Sequence, residues 1–299
     1  LRVVAGSSSR ATNRKVATLV ALEPYARRDV IVLVDSDVRL DAETLGRLAG
    51  AVTSEVGLAT ALYRGAPAGS LSSRIEALAI NADFVPSVLV AHLLGGGIRF
   101  ALGAANAIRR EALQAIGGFA SLGEVLADDH LLGKRIASTG RRVTIAPVCV
   151  PIEQDSSARD TFARLLRWCR TYRACQPVGY AATVFSHHGI AASLAAASAA
   201  QLAGSSAFWL LAAGTVALRL VTAAVAHAAI AGREADLASL PLLPVRDLVA
   251  TALFIRAWLG RTVTWRGRRF RVAPDGTLTD LSPEPHDTPA ALVAASGGL

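Results

Sequence analysis

Apolar and polar positions along this chain keep two rhythms in its first part and lose both further on. The run DVIVLV (29–34) is apolar over its last five residues, long enough for a strand and apolar on both faces. It predicts a central strand covered by helices on each side. After it, Leu45, Leu48, Ala49 and Val52 recur at i, i+3, i+4 and i+7, one face of a helix, with Asp41 placed to cap its start. GLATALY (57–63) reads as another strand, Ser70 to Val90 as a helix interrupted by Pro86, and RRVTIAPVCV (141–150) as a strand near a sheet edge. Strand runs alternating with helical patterns predict a layered α/β domain with a mostly parallel sheet.

A different regime begins near Ala181. From there to Ala231 the strongly polar interruptions are Arg219 and the pair His187-His188, which mark a membrane boundary. The span is long enough for two membrane helices with a tight turn near Gly204-Ser205-Ser206. A third apolar segment, Leu242 to Leu259, carries Arg246, Asp247 and Arg256. Charges at the bilayer centre cost about 2.5 to 3.5 kcal/mol each, so this segment is expected to be re-entrant or to lie at the interface. That keeps the basic cluster TWRGRRFR (264–271) on the side of the first domain.

Composition sharpens this picture. Hydrophobic residues make up 52% of the 299, above a soluble average, so part of the surplus should face lipid. Lys and Arg number 31 against 23 acidic residues, a net charge of +8, while aromatics are only 5%. That supplies few stacking platforms for single-stranded nucleic acid, so a membrane surface or an anionic substrate is the expected partner and nucleic acid is not. Cys149, Cys169 and Cys175 form no CxxC pair, which indicates neither a zinc site nor a disulfide framework and fits a reducing, cytosolic-side environment. The chain starts at Leu1 and has no methionine, which reads as a fragment of a longer polypeptide.

The candidate chemistry begins at Asp35-Ser36-Asp37, just past the carboxyl end of the DVIVLV strand, where ligands of open α/β sheets bind. Alone, the triplet also suits an ordinary turn. It has company: Asn13-Arg14-Lys15-Val16 before it, Leu126-Ala127-Asp128-Asp129-His130 after it, then Arg164-Leu165-Leu166-Arg167-Trp168, and beyond these the apolar hairpin. In that order, with FALGAANAIRREALQAIGGF (100–119) and the closing TWRGRRFRV, the chain resembles the family 21 glycosyltransferases from about Gly6 to Val272. These are the ceramide glucosyltransferases and hopanoid-associated bacterial enzymes, inverting transferases of the GT-A fold with a nucleotide-sugar donor.

The resemblance implies roles. Asp37, with Asp35, would hold a divalent cation, Mg2+ or Mn2+, against the donor diphosphate, and Asp35 would also orient the donor together with Asn13, Lys15 and Arg164. Asp129 is the candidate base, with Asp128 in the preceding acidic position and His130 where the family usually has Tyr. Arg167 and Trp168 would line the place where leaving diphosphate and acceptor meet. Arg164 stands where processive polysaccharide synthases carry Gln, which argues against a polymerase. Gly95-Gly96-Gly97 and Gly103 would allow close backbone approach to the sugar.

The expected organisation is a GT-A catalytic domain over 1–178 whose first strand and uracil-contacting aspartate precede Leu1, a membrane helix hairpin over 179–232, an interfacial or re-entrant segment over 233–272 and a flexible tail over 273–299. The expected reaction moves one sugar from a UDP-sugar, of N-acetylglucosamine type by the alanine-rich bacterial composition, to a hopanoid or ceramide-like lipid. It would occur on the cytoplasmic side of a bacterial inner membrane. The alternatives are a processive synthase and a non-catalytic membrane scaffold with the same fold.

Overall fold

The structure, a computed structural model, describes residues 11–153, 155–184, 189–204, 206–265, 267–273 and 276–282. Helix α1 (Arg14–Leu22) leads to β1 (Val30–Val34), and α2 (Ala42–Gly50) to the long β2 (Val56–Ala66). Asp41 caps α2 as its position suggested, its side chain accepting from the Thr44 amide at 2.6 Å. Helix α3 (Leu71–Ala79) runs through a π turn (Ile80–Phe84) into α4 (Val85–Leu94), followed by β3 (Ala105–Arg109), α5 (Arg110–Ala115), α6 (Asp128–Ser138), β4 (Arg142–Glu153) and α7 (Ala158–Cys175).

The sheet order is β1-β3-β2-β4. Strands β1, β2 and β4 share one direction, but β3 runs between β1 and β2 against both, so among the described residues only β2 and β4 form a parallel pair. The sheet is therefore mixed. Strand β1, expected at the centre, pairs only with β3 among the described residues. Its apolar faces report what covers the strand above and below, and carry no information about its neighbours in the sheet. All three co-directional strands deliver their carboxyl ends to one edge, where Asp35 follows β1.

Two apolar clusters cover the sheet, one around Leu58, Ile108, Phe119 and Ile136, the other around Leu48, Ala59, Val85 and Val150. Close approach of α6 is set by Gly133, where an added Cβ would stand 2.4 Å from the Ala101 amide nitrogen and the Phe100 carbonyl carbon. Alanine is the better helix former by about 1 kcal/mol, but the atoms in the way are backbone. Gly133→Ala is thus expected to destabilise the domain by about 1 to 3 kcal/mol, measured by denaturant or thermal unfolding; a stabilised variant would contradict this packing.

The apolar half follows as α8 (Pro177–Ala182), α9 (Gly189–Ala203), α10 (Ser206–Ala231) and α11 (Leu243–Trp258). Helices α9 and α10 meet as a hairpin whose turn includes Gly204, at φ +63°; Ser205, His187 and His188 lie outside the described residues. Among the described residues three helical stretches are long and apolar enough to cross a membrane: Leu71–Leu94, Ser206–Glu234 and Leu237–Trp258. Leu94 and Leu202 are 85% and 90% exposed, surface that water would not tolerate in such number and lipid would.

Of the expected pair of spans, α9 has 15 residues and is not one of the three, and Leu71–Leu94, which runs from β2 to β3 of one sheet, cannot carry the chain across a membrane. Pro86 does not break the first stretch, because it sits in the first turn of α4, after the π turn, where no amide donor is required of it. Two of the charges in α11 have partners inside the protein. Arg246 and Asp247 lie buried with Asp83 of the π turn and Arg219 of α10, two cations against two anions. The net charge of the group is zero.

Part of the expected flexible tail is ordered. Strands β5 (Thr262–Trp265), β6 (Arg268–Val272) and β7 (Leu278–Asp280) form an antiparallel sheet whose Val263, Phe270, Val272 and Leu278 pack on Leu126. Leu278 donates to the Glu124 carbonyl at 2.8 Å, and Leu126 to the Gly276 carbonyl at 3.1 Å. The small sheet thereby grips the loop that leads into α6.

Candidate functional site

The turn after β1 is a real turn, closed by the Val38 amide on the Asp35 carbonyl at 3.1 Å. It is more than that, because the Lys15 ammonium lies 2.6 Å from Asp35 Oδ1 and 3.7 Å from Asp128 Oδ2. Asn13 sets up this meeting. Fully buried at the N-terminus of α1, it accepts from the amides of Lys15 and Val16 at 2.9 and 3.2 Å. Its amide donates to the Val125 carbonyl at 2.9 Å and to Asp128 Oδ1 at 3.2 Å. The side chain is engaged within the protein, where it fixes the start of α1 beside Asp128.

Asp129 follows at the first turn of α6, its Oδ1 accepting from the His130 amide at 2.8 Å. Gly103 stands between the two carboxylates: a Cβ there would lie 3.1 Å from Asp129 Oδ2 and 3.8 Å from Asp35 Oδ2. The missing side chain keeps both oxygens open to the same space. Gly95, Gly96 and Gly97 close the end of α4, with the Gly97 amide returning to the His92 carbonyl, a helix-ending role.

Burial sets the electrostatics. It raises the carboxyl pKa of Asp35, Asp128 and Asp129 above the ordinary value, against the opposing pull of Lys15. Burial alone would push Lys15 down, but the charges of Asp128, Asp35 and Asp129 outweigh it and hold the ammonium above its usual pKa. Lys15 therefore stays a cation. Tyr63, buried and stacked on Phe84 at 5.1 Å, is driven well up by burial and by the charges of Asp129, Asp35 and Glu76. Cys175, at the end of α7, is pushed up to about 12 by burial and by Asp129, which keeps it a neutral thiol. Neither Tyr63 nor Cys175 stands out in the sequence, since nothing in a strand alternation or a helix end marks nearness to Asp129.

His130 stacks on Phe100 with centroids 5.6 Å apart, and its pKa is lowered to about 4, first by burial and then by Lys134. A histidine that is neutral when folded binds fewer protons than the unfolded chain between pH 4 and 6.5, so stability falls as pH drops through that window. His130→Tyr is expected to flatten the dependence of the thermal midpoint on pH between those values. An unchanged slope would assign it to other groups.

Helix α7 carries the remaining candidates, and they diverge. Arg164 forms a two-pronged ion pair with Glu76 of α3, Nε to Oε1 at 2.8 Å, and reaches Ser156 Oγ at 3.0 Å; the structure does not bring it to the carboxylates. Arg167 lies over the Trp265 ring at 6.0 Å, and Trp168 packs against the second core cluster. Beyond the Asp-Ser-Asp turn a groove of about 480 Å³ opens between Arg39, Leu40, Asp41 and Thr44 on one side and Arg64, Cys149, Val150 and Pro151 on the other.

Among the described residues no group of three or more His, Cys, Asp and Glu side chains is arranged to hold a metal ion. Magnesium and manganese at phosphate sites need fewer, commonly one or two carboxylates completed by water and phosphate oxygens. Asp37, exposed in the turn and close enough to Asp35 for its charge to be felt there, is such a donor. Asp35 is held by Lys15 at 2.6 Å.

Carboxylates thus gather at the carboxyl ends of the co-directional strands of a mixed α/β sheet joined to apolar helices. The chain belongs to glycosyl transferase family 21, whose family model matches residues 1–278. Among solved structures it is similar to a mannosyltransferase from Pyrobaculum calidifontis in complex with GDP-Man and Mn2+. The two are 20% identical over 86% of this chain and 68% of that one, with a TM-score of 0.46.

Proposed function

We propose that this glycosyltransferase moves a single sugar from a UDP-sugar to a hydroxyl of a membrane lipid, a hopanoid polyol or ceramide-like acceptor, with the catalytic domain on the cytoplasmic face. The observation that carries this reading is the pair of partly buried carboxylates, Asp35 and Asp129, facing one space across Gly103. An inverting transfer needs a base for the acceptor proton, and a carboxylate raised in pKa by burial suits it. Asp129 takes that role, while Lys15 holds Asp35 toward the donor and keeps positive charge at the place where a diphosphate would lie. A divalent cation at Asp37, with Asp35 beside it, would supply charge neutralisation for the departing diphosphate. Arg167 and Trp168 border the acceptor side, and Arg164 fixes α7 through Glu76. The apolar helices bring this edge to the bilayer, where a lipid hydroxyl is found.

The test is to incubate membranes containing the full chain with a panel of labelled UDP-sugars, with and without added Mg2+ or Mn2+, and to identify the labelled lipid. One sugar per lipid, lost on chelation, is expected. Repeated sugars on one acceptor would favour a processive synthase, and no labelled lipid with any donor would favour the scaffold.

A further inference from the structure

The turn that ends α11 gathers arginines with no acid to meet them. Arg170 and Arg173 reach across from α7: Arg173 donates to the carbonyls of Gly260 at 2.9 Å and Trp258 at 3.3 Å, and Arg170 to that of Thr262. The bond to Trp258 caps the helix end, where cations are favoured, and the others hold the chain that leaves it. Around them stand Arg256, Arg261 and Arg271, all exposed. Register fixes the last: Arg271 is opposite Thr262, and Val272 donates to the Arg261 carbonyl at 2.8 Å. No ion pair to any of these five exists among the described residues, whereas Arg268 of the same strand has Asp280 at 2.5 Å. The arginines feel one another. Burial lowers the pKa of Arg170, with Arg256 and Arg173 adding to it, and that of Arg173, with Arg261 adding to it. The Arg170 Nε is buried without a hydrogen-bond partner.

The surroundings say which anion fits. Trp258 and Leu259, 45% and 79% exposed, end an apolar helix long enough to cross a bilayer, and Arg173 lies over the Trp258 ring at 5.5 Å. A tryptophan at the end of a span, followed at once by cations, is the composition of a headgroup layer. We propose that Arg256, Arg261 and Arg271, backed by Arg170 and Arg173, form a binding site for the phosphate of an anionic membrane phospholipid. This goes beyond the transfer reaction and does not depend on it: the site would seat the catalytic domain at a fixed height over an anionic leaflet.

The experiment places the purified full chain in nanodiscs of phosphatidylcholine mixed with phosphatidylglycerol and measures, by native mass spectrometry, which lipid stays bound after release into detergent. Preferential retention of phosphatidylglycerol is expected. Arg261→Gln/Arg271→Gln, which leaves the capping arginines alone, should weaken that retention by about 25-fold, since each basic residue at an anionic surface is worth about a factor of five. Arg261→Lys/Arg271→Lys should keep most of it, which separates lost charge from lost folding. Equal retention of the two lipids, or an unchanged preference in the Gln variant, would overturn the site. Displacement of the lipid by inorganic diphosphate would overturn it too, giving the cluster to a nucleotide instead.

Discussion

Asp129→Asn is expected to lower the rate of sugar transfer by about a thousandfold, within the range that a positioned general base contributes, while leaving the fold intact. The substitution is close to isosteric. An Asn oxygen can still accept from the His130 amide, as Asp129 Oδ1 does at 2.8 Å, and Lys15 keeps its partner at Asp35. What disappears is the proton acceptor beside Gly103. Burial raises the Asp129 carboxyl, so the acidic limb of the wild-type rate profile should lie above the ordinary aspartate range. In the Asn variant that limb should vanish, with little change in KM for the donor. Asp35→Asn makes the useful contrast: it frees Lys15 and should raise donor KM as well. The measurements are initial rates against pH and donor concentration, beside thermal unfolding of each variant. A folded Asp129→Asn enzyme transferring within about threefold of wild type would remove Asp129 as the base.

Why some of this is legible in the sequence and some is not comes down to the range of the interactions. Asp41 and the turn at Gly204 are local, and each is where a side-chain cap or a glycine at φ +63° must be. Strand β3 is hidden because what makes it a strand is distant: ANAIR has no alternation to speak of, and it pairs with Val30–Val34 and with Leu58, Ala59 and Thr60, while the amide of its buried Asn106 finds the Leu102 carbonyl at 2.7 Å. Missing that strand made the sheet look parallel. The site shows the same division. Asp35 and Asp129 stand out because each lies at an element boundary, whereas nothing in the sequence shows the bond from Asn13 to Asp128, 115 positions away. The partners of the α11 charges Arg246 and Asp247 are hidden for this reason too, since they lie on other helices.

Those partners supply the second large effect. Arg219→Leu is expected to cost about 3 to 5 kcal/mol, the usual result of breaking a buried ion pair from one side. Arg219 donates to both oxygens of Asp247 at 2.7 and 2.8 Å and approaches Asp83 at 3.0 Å, while Arg246 meets Asp83 and lies 3.1 Å from Asp247. Without Arg219 one cation faces two buried carboxylates. The double variant Arg219→Met/Asp247→Leu removes one charge of each sign and leaves Arg246 on Asp83, so most of the stability should return. Thermal unfolding in detergent measures both, and a double variant as unstable as the single would deny that charge balance is what matters. The group reaches further than the helices that carry it. Asn81, two residues before Asp83 in the same π turn, bonds the Gly65 amide at 2.8 Å and its carbonyl at 2.9 Å, which ties the turn to β2. Loss of Arg219 should therefore loosen the catalytic sheet from α10 and α11 together, raising hydrogen exchange at the π turn and at the Gly65 end of β2, while Val30–Val34 stays protected. Uniform loss of protection across both strands would mean that the whole domain unfolds as one unit and that the charges do not act as its membrane joint.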